Sequence, residues 1–345
     1  MTVKTKTTRN QAMECFKMLA AVLVVFIHVT FPGRAGSLVV SLARIGVPVF
    51  FAISGYFSFQ VHSDRLGKRI LHIGGLFVTA VAAAVILGSI TAVANGQGLM
   101  DFLWGYVPGT ENLATMMLLQ ESSFPHTGYT WYLLSVLVCY GVLFLYAGFF
   151  GEAPIRYQPL YIVSVFLLVI HTLMGEMTKA ANITVPYQLY RNVLFFVMPT
   201  FTLGIFIREY QERILTNFRL TDKKLMAVIL IGVTMTLLQW KGVGVGELPP
   251  GAVVQAVGWM LLLASHPDLK RKSKAANAVI GSLGTVSTVV YLIHYPLIDI
   301  YETFLLPYLP LDGMLEAWLK PVFIAVMSIA VGILWVGIRK AVKRK

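Results

Sequence analysis

The 345-residue chain has few charged residues, since Asp, Glu, Lys and Arg together make up only 13% of it. A soluble domain usually carries about 25% charged residues, so this scarcity excludes an ordinary soluble enzyme. Hydrophobic residues reach 57% of the chain, and aromatic residues, which favour membrane interfaces, reach 12%. The composition predicts an integral membrane protein of the all-α class, a polytopic helical bundle.

Cysteine is also scarce, with only Cys15 and Cys139 in the chain. Both lie in apolar runs without CxxC spacing or a nearby pair of histidines, so we interpret them as core residues and expect no metal site. The nucleotide-binding P-loop, HExxH and GxSxG motifs of soluble enzymes are absent. No cleavable signal peptide or long polar segment is evident, which favours a single membrane domain over 1–345.

Long apolar runs are abundant by contrast. A membrane-spanning helix needs about 20 apolar residues, and ten runs of roughly this length can be placed. The two weakest, 224–240 and 250–265, are short and flank a segment rich in glycine and proline. The ten predicted spans are 12–31, 38–60, 70–94, 129–149, 158–175, 190–207, 224–240, 250–265, 278–300 and 317–338.

The basic residues orient these spans. In the ten-span arrangement, 21 of the 28 lysines and arginines fall on one side, in the two terminal segments and in alternate loops. The positive-inside rule then places both termini in the cytoplasm. The same distribution accounts for the net charge of +12 without a nucleic-acid partner. The long loop 95–128 on the opposite side contains LMDFLWGYV and LATMMLL, which are typical of short interfacial or re-entrant helices.

Four ionisable side chains lie within the predicted spans: Lys17, His28, Arg44 and His294. A charge near the bilayer centre costs about 2.5–3.5 kcal/mol on insertion scales and usually persists only beside a polar cavity or a partner. Three of the four lie in the first 44 residues. We therefore expect the amino-terminal helices to form the functional site.

Each of these residues has a functional and a structural interpretation. His28 near the end of the first span suits a general base, or it bonds a neighbouring carbonyl. Lys17 lies three turns before His28 and can pair with Glu14, or it extends to the cytoplasmic interface. Arg44 is predicted near the depth of His28, where it needs an anionic partner or a cavity, or where it anchors neighbouring helices. The predicted catalytic group consists of Glu14, Lys17, His28 and Arg44.

Two further groups complete the predicted site. The segment HSDRLGKRILHI after the second span carries cations suited to the phosphates of a nucleotide-bearing donor, or to anionic lipid. Those cations are Arg65, Lys68, Arg69 and His72. In the ninth span, Ser287, Tyr291 and His294 share one helical face, and the fourth span begins with His126 and Trp131. The predicted substrate-binding residues are His126, Trp131, Tyr291 and His294.

Taken in order, these segments resemble the membrane acyltransferase type 3 superfamily, bacterial ten-helix proteins that move acyl groups onto extracytoplasmic glycans or lipids. The first span keeps the family's spacing of an acidic residue, a basic residue and a histidine at Glu14, Lys17 and His28. The segments RIGVPVFFAISGYF, TWYLL, FFVMPTFTLG and STVVYLIHYPL are similar to later family blocks. The segment ARIGVPVFFAISGYF of the second predicted span also resembles the membrane half of vancomycin-resistance serine racemases, although no racemase domain follows.

The resemblance implies an O-acyltransferase of the bacterial cell membrane. Such a protein would move an acyl group, often acetyl, from cytoplasmic acetyl-CoA or another acyl-CoA to a hydroxyl of an extracytoplasmic glycan. The chain departs from the family at Lys17, where an arginine is usual, and in its imperfect Arg-x-x-Arg motif at Arg69 and His72 or at Arg65 and Lys68. Two other readings remain open: a transporter of a small polar solute such as serine or of a glycan, and a non-catalytic partner of a glycan synthase.

Overall fold

The computed structural model describes residues 10–107, 115–116, 119, 124, 127–178, 181–269, 274–310 and 312–342. Within these residues the regular secondary structure is helical throughout, without a β-strand. Nine helical segments in this described part are long and apolar enough to cross a membrane. The predicted all-α, polytopic helical bundle is confirmed.

The helices follow one another with short connections. In chain order they are α1 (Gln11–His28), α2 (Gly33–Ala43), α3 (Gly46–Tyr56), α4 (Ser63–Ala94), α5 (Leu99–Trp104), α6 (Trp131–Gly148), α7 (Gln158–His171), α8 (Met198–Asn217), α9 (Asp222–Gly242), α10 (Pro250–Ser265), α11 (Lys274–Ile280), α12 (Leu283–Ile300) and α13 (Gly313–Val342). Single π-helical segments extend three of them: Thr172–Met177 after α7, Val193–Val197 before α8 and Tyr301–Leu305 after α12.

The eighth predicted span, 250–265, is the helix α10, which has only 16 residues. It is shorter than the roughly 20 residues that usually cross a bilayer. Most of its buried side chains pack against α9, α8 and α3. Because α10 lies among other helices, it does not need the apolar length of a lipid-exposed span.

The helix α4 corrects one part of the sequence prediction. Its apolar run was expected to begin at residue 70, with the basic segment before it as a loop, yet the helix begins at Ser63. Leucine, lysine and arginine all favour helices, so the helix continues beyond the apolar run. As a result, Arg65, Lys68, Arg69 and His72 lie on one face of a helix, at the i, i+3, i+4 and i+7 positions.

The second span is broken at its centre. Predicted as one run over 38–60, it consists of α2 and α3 separated by Arg44 and Ile45. Proline at position 48 has no N–H to donate to the carbonyl of Arg44 four residues earlier. The interruption falls at the intramembrane arginine.

Two glycines bring α3 and α8 into backbone contact. A Cβ atom on Gly55 would overlap the carbonyl of Phe201, and a Cβ on Gly204 would overlap the carbonyl of Ala52. Small residues at such crossings let the backbones of membrane helices approach closely. This crossing fixes α3, and with it the residues that follow Arg44.

The bundle has two opposite ends, the terminal face and the far face. The terminal face is the end at which α1 begins, where Gln11 N donates to the carbonyl of Pro267. The far face is the end at which α1 finishes with His28. The predicted short helix in LMDFLWGYV is present as α5 (Leu99–Trp104), whereas most of LATMMLL lies outside the described residues.

Candidate functional site

A cavity of about 250 Å³ lies between α1, α3, α4, α6 and α12. Along α1 it is lined by Lys17 and by His28, eleven residues later. At 1.5 Å per residue these two positions are ~16 Å apart along the helix axis. The cavity thus extends over about half of the hydrocarbon thickness of a bilayer, which is about 30 Å.

Hydroxyl groups are common on the cavity wall. The wall carries serine, threonine and tyrosine side chains from four segments of the chain. They are Ser54, Tyr129, Tyr132, Tyr140, Ser287, Thr288 and Tyr291. A wall of this kind can solvate a polar group that an apolar helix bundle would otherwise exclude.

The end of the cavity toward the terminal face is basic. Lys17 and His72 both line it, and Lys17 Nζ lies 3.4 Å from Glu14 Oε1. The predicted Glu14–Lys17 pair is therefore present. Gly284 of α12 leaves room for the carboxylate, because a Cβ atom there would overlap Glu14 Oε2.

The predicted donor-binding cations divide into two groups. Arg65 and Lys68 are exposed on α4 and do not line the cavity. Arg69 donates to Ser58 Oγ at 2.9 Å and to the carbonyl of Phe57 at 2.8 Å. Its guanidinium therefore stabilises the end of α3, where free carbonyls need donors.

Toward the far face, His28 lies among other aromatic rings. Its ring centroid is 5.2 Å from that of His294 and 5.7 Å from that of Tyr295. Among the described residues, no hydrogen bond joins the His28 ring to a carbonyl, which disfavours the purely structural interpretation. His28 lines the cavity, so its ring nitrogens are placed to meet a ligand there.

His294 is packed behind His28 and is fully buried. Its Nδ1 lies 2.8 Å from the carbonyl of Tyr291 and 3.2 Å from that of Val290. Because carbonyls only accept, Nδ1 carries the proton and Nε2 is an acceptor. This Nε2 has no hydrogen-bond partner in the described part of the chain.

Reciprocal hydrogen bonds hold this aromatic group together. The Tyr291 hydroxyl donates to the carbonyl of Tyr129 at 2.5 Å, and the Tyr129 hydroxyl donates to the carbonyl of Leu292 at 3.1 Å. The Tyr129 and Tyr295 rings stack with their centroids 5.3 Å apart. These contacts join α12 to the start of α6 and fix the surroundings of His28.

Arg44 has an anionic partner, as its position required. Its Nη1 lies 2.8 Å from Glu247 Oε2, and Nη1 of Arg191 lies 3.9 Å from the same oxygen. Arg191 stacks on the rings of Tyr187 and Trp131, with its Cζ at 4.2 and 5.0 Å from the ring centroids. All three charged residues line the cavity.

Sequence reasoning missed Glu247 and Arg191. Arg191 lies at the start of the predicted span 190–207, and its partner lies 56 positions later in the chain. One signal was present: Glu247 is the only acidic residue between Asp222 and Asp268, inside GVGVGELPPG. A lone carboxylate in such a segment requires a cation nearby.

The neighbouring Asn192 fixes the position of Arg191. The Asn192 side chain accepts from the backbone N–H groups of Leu194 and Phe195 and donates to the carbonyls of Gln188 and Leu189. The residue is 7% exposed. It therefore joins the turn before Arg191 to the helical segment after it.

We expect Asn192→Ala to lower the free energy of unfolding by about 2–3 kcal/mol, because buried backbone groups lose their partners. The melting temperature of the detergent-solubilised protein measures this. Asn217→Ala, at the exposed end of α8, is the matched control and should leave it unchanged. Equal shifts for the two variants would contradict the assigned role of Asn192.

The structure assembles most of the predicted site. Lys17, His28, Arg44, His72, Trp131 and Tyr291 all line the one cavity. Glu14 and His294 each contact one of these residues without lining it themselves. Arg65 and Lys68 lie outside it on the same helix as His72, and His126 lies outside the described residues.

Fold and site together define a multi-pass membrane protein whose intramembrane charges surround a polar cavity. The sequence pattern of one known family, described as an acyltransferase domain, matches residues 10–336, which is nearly the whole chain. The protein belongs to this membrane acyltransferase 3 family. No curated protein and no solved structure matches the chain significantly.

Proposed function

We propose that the protein transfers an acyl group, in the first instance acetyl, from acyl-CoA to a hydroxyl of an extracytoplasmic glycan or other envelope acceptor. The proposal places it in the bacterial cytoplasmic membrane, with its terminal face in the cytoplasm. The observation that carries it is that one cavity, with charged and hydroxyl groups along its wall, extends from Lys17 and His72 to His28 and Arg44. Such a cavity brings a donor from one face toward an acceptor at the other.

In this proposal His28 is the general base. It takes the proton of the acceptor hydroxyl as that oxygen attacks the acyl carbonyl carbon. The C–S bond of the thioester then breaks, and the CoA thiolate leaves and takes that proton from the His28 imidazolium. Arg44 stabilises the negative charge that develops on the carbonyl oxygen. His294 holds the His28 ring by contact and is a positioning residue.

The donor supplies an activated thioester, and the terminal face has groups that suit its phosphates. Arg65 and Lys68 are exposed on the α4 face that continues to His72 at the cavity wall. Exposed cations can pair with phosphates without first breaking internal bonds. Arg69 supports this donor site indirectly, because it caps the end of α3. Lys17 adds positive charge beside the cavity.

A second candidate function is transport of a small polar solute. The observation that favours it is a further pocket at the far face, which shares Arg44 and Glu247 with the cavity. A transporter would pass its cargo between these two spaces without an acyl donor. The two functions therefore differ in whether acyl-CoA binds.

Binding of acetyl-CoA to the purified, detergent-solubilised protein tests the proposal. We expect Arg65→Ala/Lys68→Ala to weaken binding at least about tenfold, because two contacts of roughly 1 kcal/mol each are lost. The matched control is Arg339→Ala/Lys340→Ala, which removes the same charge from the exposed end of α13. This control should bind like the wild type.

Two results would contradict the proposal in different ways. Equal weakening in both double variants would show only a general effect of charge. Absence of binding by a folded wild-type protein would favour transport, and solute uptake into proteoliposomes would then be measured.

A further inference from the structure

A second pocket of about 450 Å³ opens toward the far face. Its wall includes the side chains of Thr178, Asn182, Thr184 and Tyr190 and the backbone around Gly246. Its volume lies within the range of roughly 300–1,000 Å³ typical of small-molecule sites.

The pocket and the cavity share two residues, Arg44 and Glu247. Their side chains form the 2.8 Å ion pair, and each is about one-fifth exposed. A ligand that passes from the pocket toward His28 therefore meets this pair. The pair is a polar partition between the two spaces.

The loop that carries Glu247 is held in place by the side chain of Glu176. The carboxylate of Glu176 accepts a hydrogen bond from Gln239 and another from the backbone N–H of Gly246, at 3.1 Å for the latter. A Cβ atom on Gly246 would overlap this carboxylate. The backbone is thus held one residue before Glu247.

The chemistry of the pocket matches a ligand that is rich in hydroxyl groups. The Thr184 hydroxyl and the Asn182 amide both donate and accept, Arg44 donates, and Glu247 accepts. The Thr178 hydroxyl donates to the carbonyl of Met174 and can accept from a ligand. A ligand hydroxyl also donates and accepts, so it can satisfy any of these groups. The Tyr190 ring adds an apolar face for the carbon atoms of such a ligand.

We propose that this outer pocket binds a neutral, polyhydroxylated ligand of sugar size, and that the Arg44–Glu247 pair closes the route from it to the cavity. Ligand hydroxyls compete for the Glu247 carboxylate, which releases Arg44 toward the cavity. Calling this ligand the acyl acceptor rests on the proposed function. The site and its partition stand on geometry alone.

Cysteine labelling tests both parts on the full-length protein in cells. The background is Cys15→Ser/Cys139→Ala, and the reporter in the pocket is Thr184→Cys. The probe is a membrane-impermeant methanethiosulfonate that carries glucose, compared with one that carries an uncharged polyether of similar size. Met314→Cys, exposed at the start of α13 on the same face, shows whether intact cells or inverted vesicles present this face.

We expect the glucose reagent to label Thr184→Cys about tenfold faster than the polyether reagent, with a rate that saturates as its concentration rises. This tenfold preference corresponds to about 1.4 kcal/mol, which a few additional hydrogen bonds to the ligand supply. At Met314→Cys the two reagents should react equally fast. Equal, unsaturated rates at Thr184→Cys would overturn the site, and faster labelling by a sulfonate reagent would overturn the neutral class of ligand.

A second reporter, Ser54→Cys, lies on the cavity wall and tests the partition. Reagent added at the far face should not label Ser54→Cys when Glu247 is present, and it should label Ser54→Cys after Glu247→Ala. If the alanine variant does not accumulate, the isosteric Glu247→Gln replaces it in the same experiment. The matched control is Glu302→Ala, which removes another far-face carboxylate, the partner of Lys320 at 2.5 Å. Labelling of Ser54→Cys that does not depend on Glu247 would overturn the partition.

None of these labelling reactions requires an acyl donor. If labelling fails while acetyl-CoA still binds normally, only the proposal of the outer site is contradicted. If labelling is specific but acetyl-CoA does not bind, the outer site is supported and the proposed acyl transfer is contradicted.

Discussion

Replacement of His28 with alanine is expected to reduce acyl transfer by about 100-fold or more, because a positioned general base contributes about 10²–10⁴-fold. The ring lines the cavity and has histidine and tyrosine rings on its other sides. The rate of CoA thiol release from acetyl-CoA, with a crude envelope extract as the acceptor, measures the effect. The amount of folded protein should not change, since no described hydrogen bond of the ring is lost.

The control for this variant is His266→Ala. His266 lies at the terminal face, where its Nε2 is 2.9 Å from Asp222 Oδ2, and both side chains are largely exposed. We expect nearly full activity from it. Full activity of His28→Ala would remove His28 from the mechanism, and equal losses in the two variants would point to a general effect on the fold.

Replacement of Gly204 with leucine is expected to prevent the protein from folding. The Cβ atom alone would overlap the backbone carbonyl of Ala52 on α3, and backbone cannot move aside as a flexible side chain can. The α3–α8 crossing would have to separate, with loss of the buried contacts of Phe51 and Phe201 on either side. The yield of monodisperse protein after detergent extraction measures the result, and we expect almost none.

The matched control is Gly141→Leu on α6. No atom lies within 4 Å of a Cβ atom built at Gly141, so the larger side chain has room. This variant should be extracted at nearly the wild-type yield. Similar yields for the two leucine variants would contradict the close crossing of α3 and α8.

The sequence predicts the spans well because each apolar run must match the thickness of the bilayer. Its errors fall where another rule determines the helix ends. The helix α4 begins before its apolar run since its polar residues also favour helix, and α10 is short because neighbouring helices enclose it. The break at Arg44 was predictable because Pro48 removes a local hydrogen bond four residues away.

In the candidate site, contacts between residues close in sequence could be predicted, whereas contacts between distant residues could not. The Glu14–Lys17 pair follows from three-residue spacing on one helix, and it is present at 3.4 Å. The Arg44–Glu247 pair joins residues 203 positions apart, which only the packing of α3 beside α10 brings together. Sequence spacing holds no information on such a contact, although the isolated acid of GVGVGELPPG marked one member.

Arg69 shows how one signal can serve two purposes. Its place in a basic segment predicted that it binds the phosphates of the donor. In the structure its guanidinium instead donates hydrogen bonds to Phe57 and Ser58 at the end of α3. Both the helix end and the arginine were visible in the sequence. Their proximity was not, because it depends on the turn that joins α3 to α4.

The central claim is that an acyl group passes from the terminal face to an acceptor at the far face. Proteoliposomes of known orientation, with labelled acetyl-CoA at the terminal face and envelope acceptor at the far face, test it most directly. We predict base-labile label in the far-side acceptor with the wild-type protein and none with His28→Ala. Transfer only when donor and acceptor share one compartment, or no transfer by a folded wild-type protein, would contradict the account.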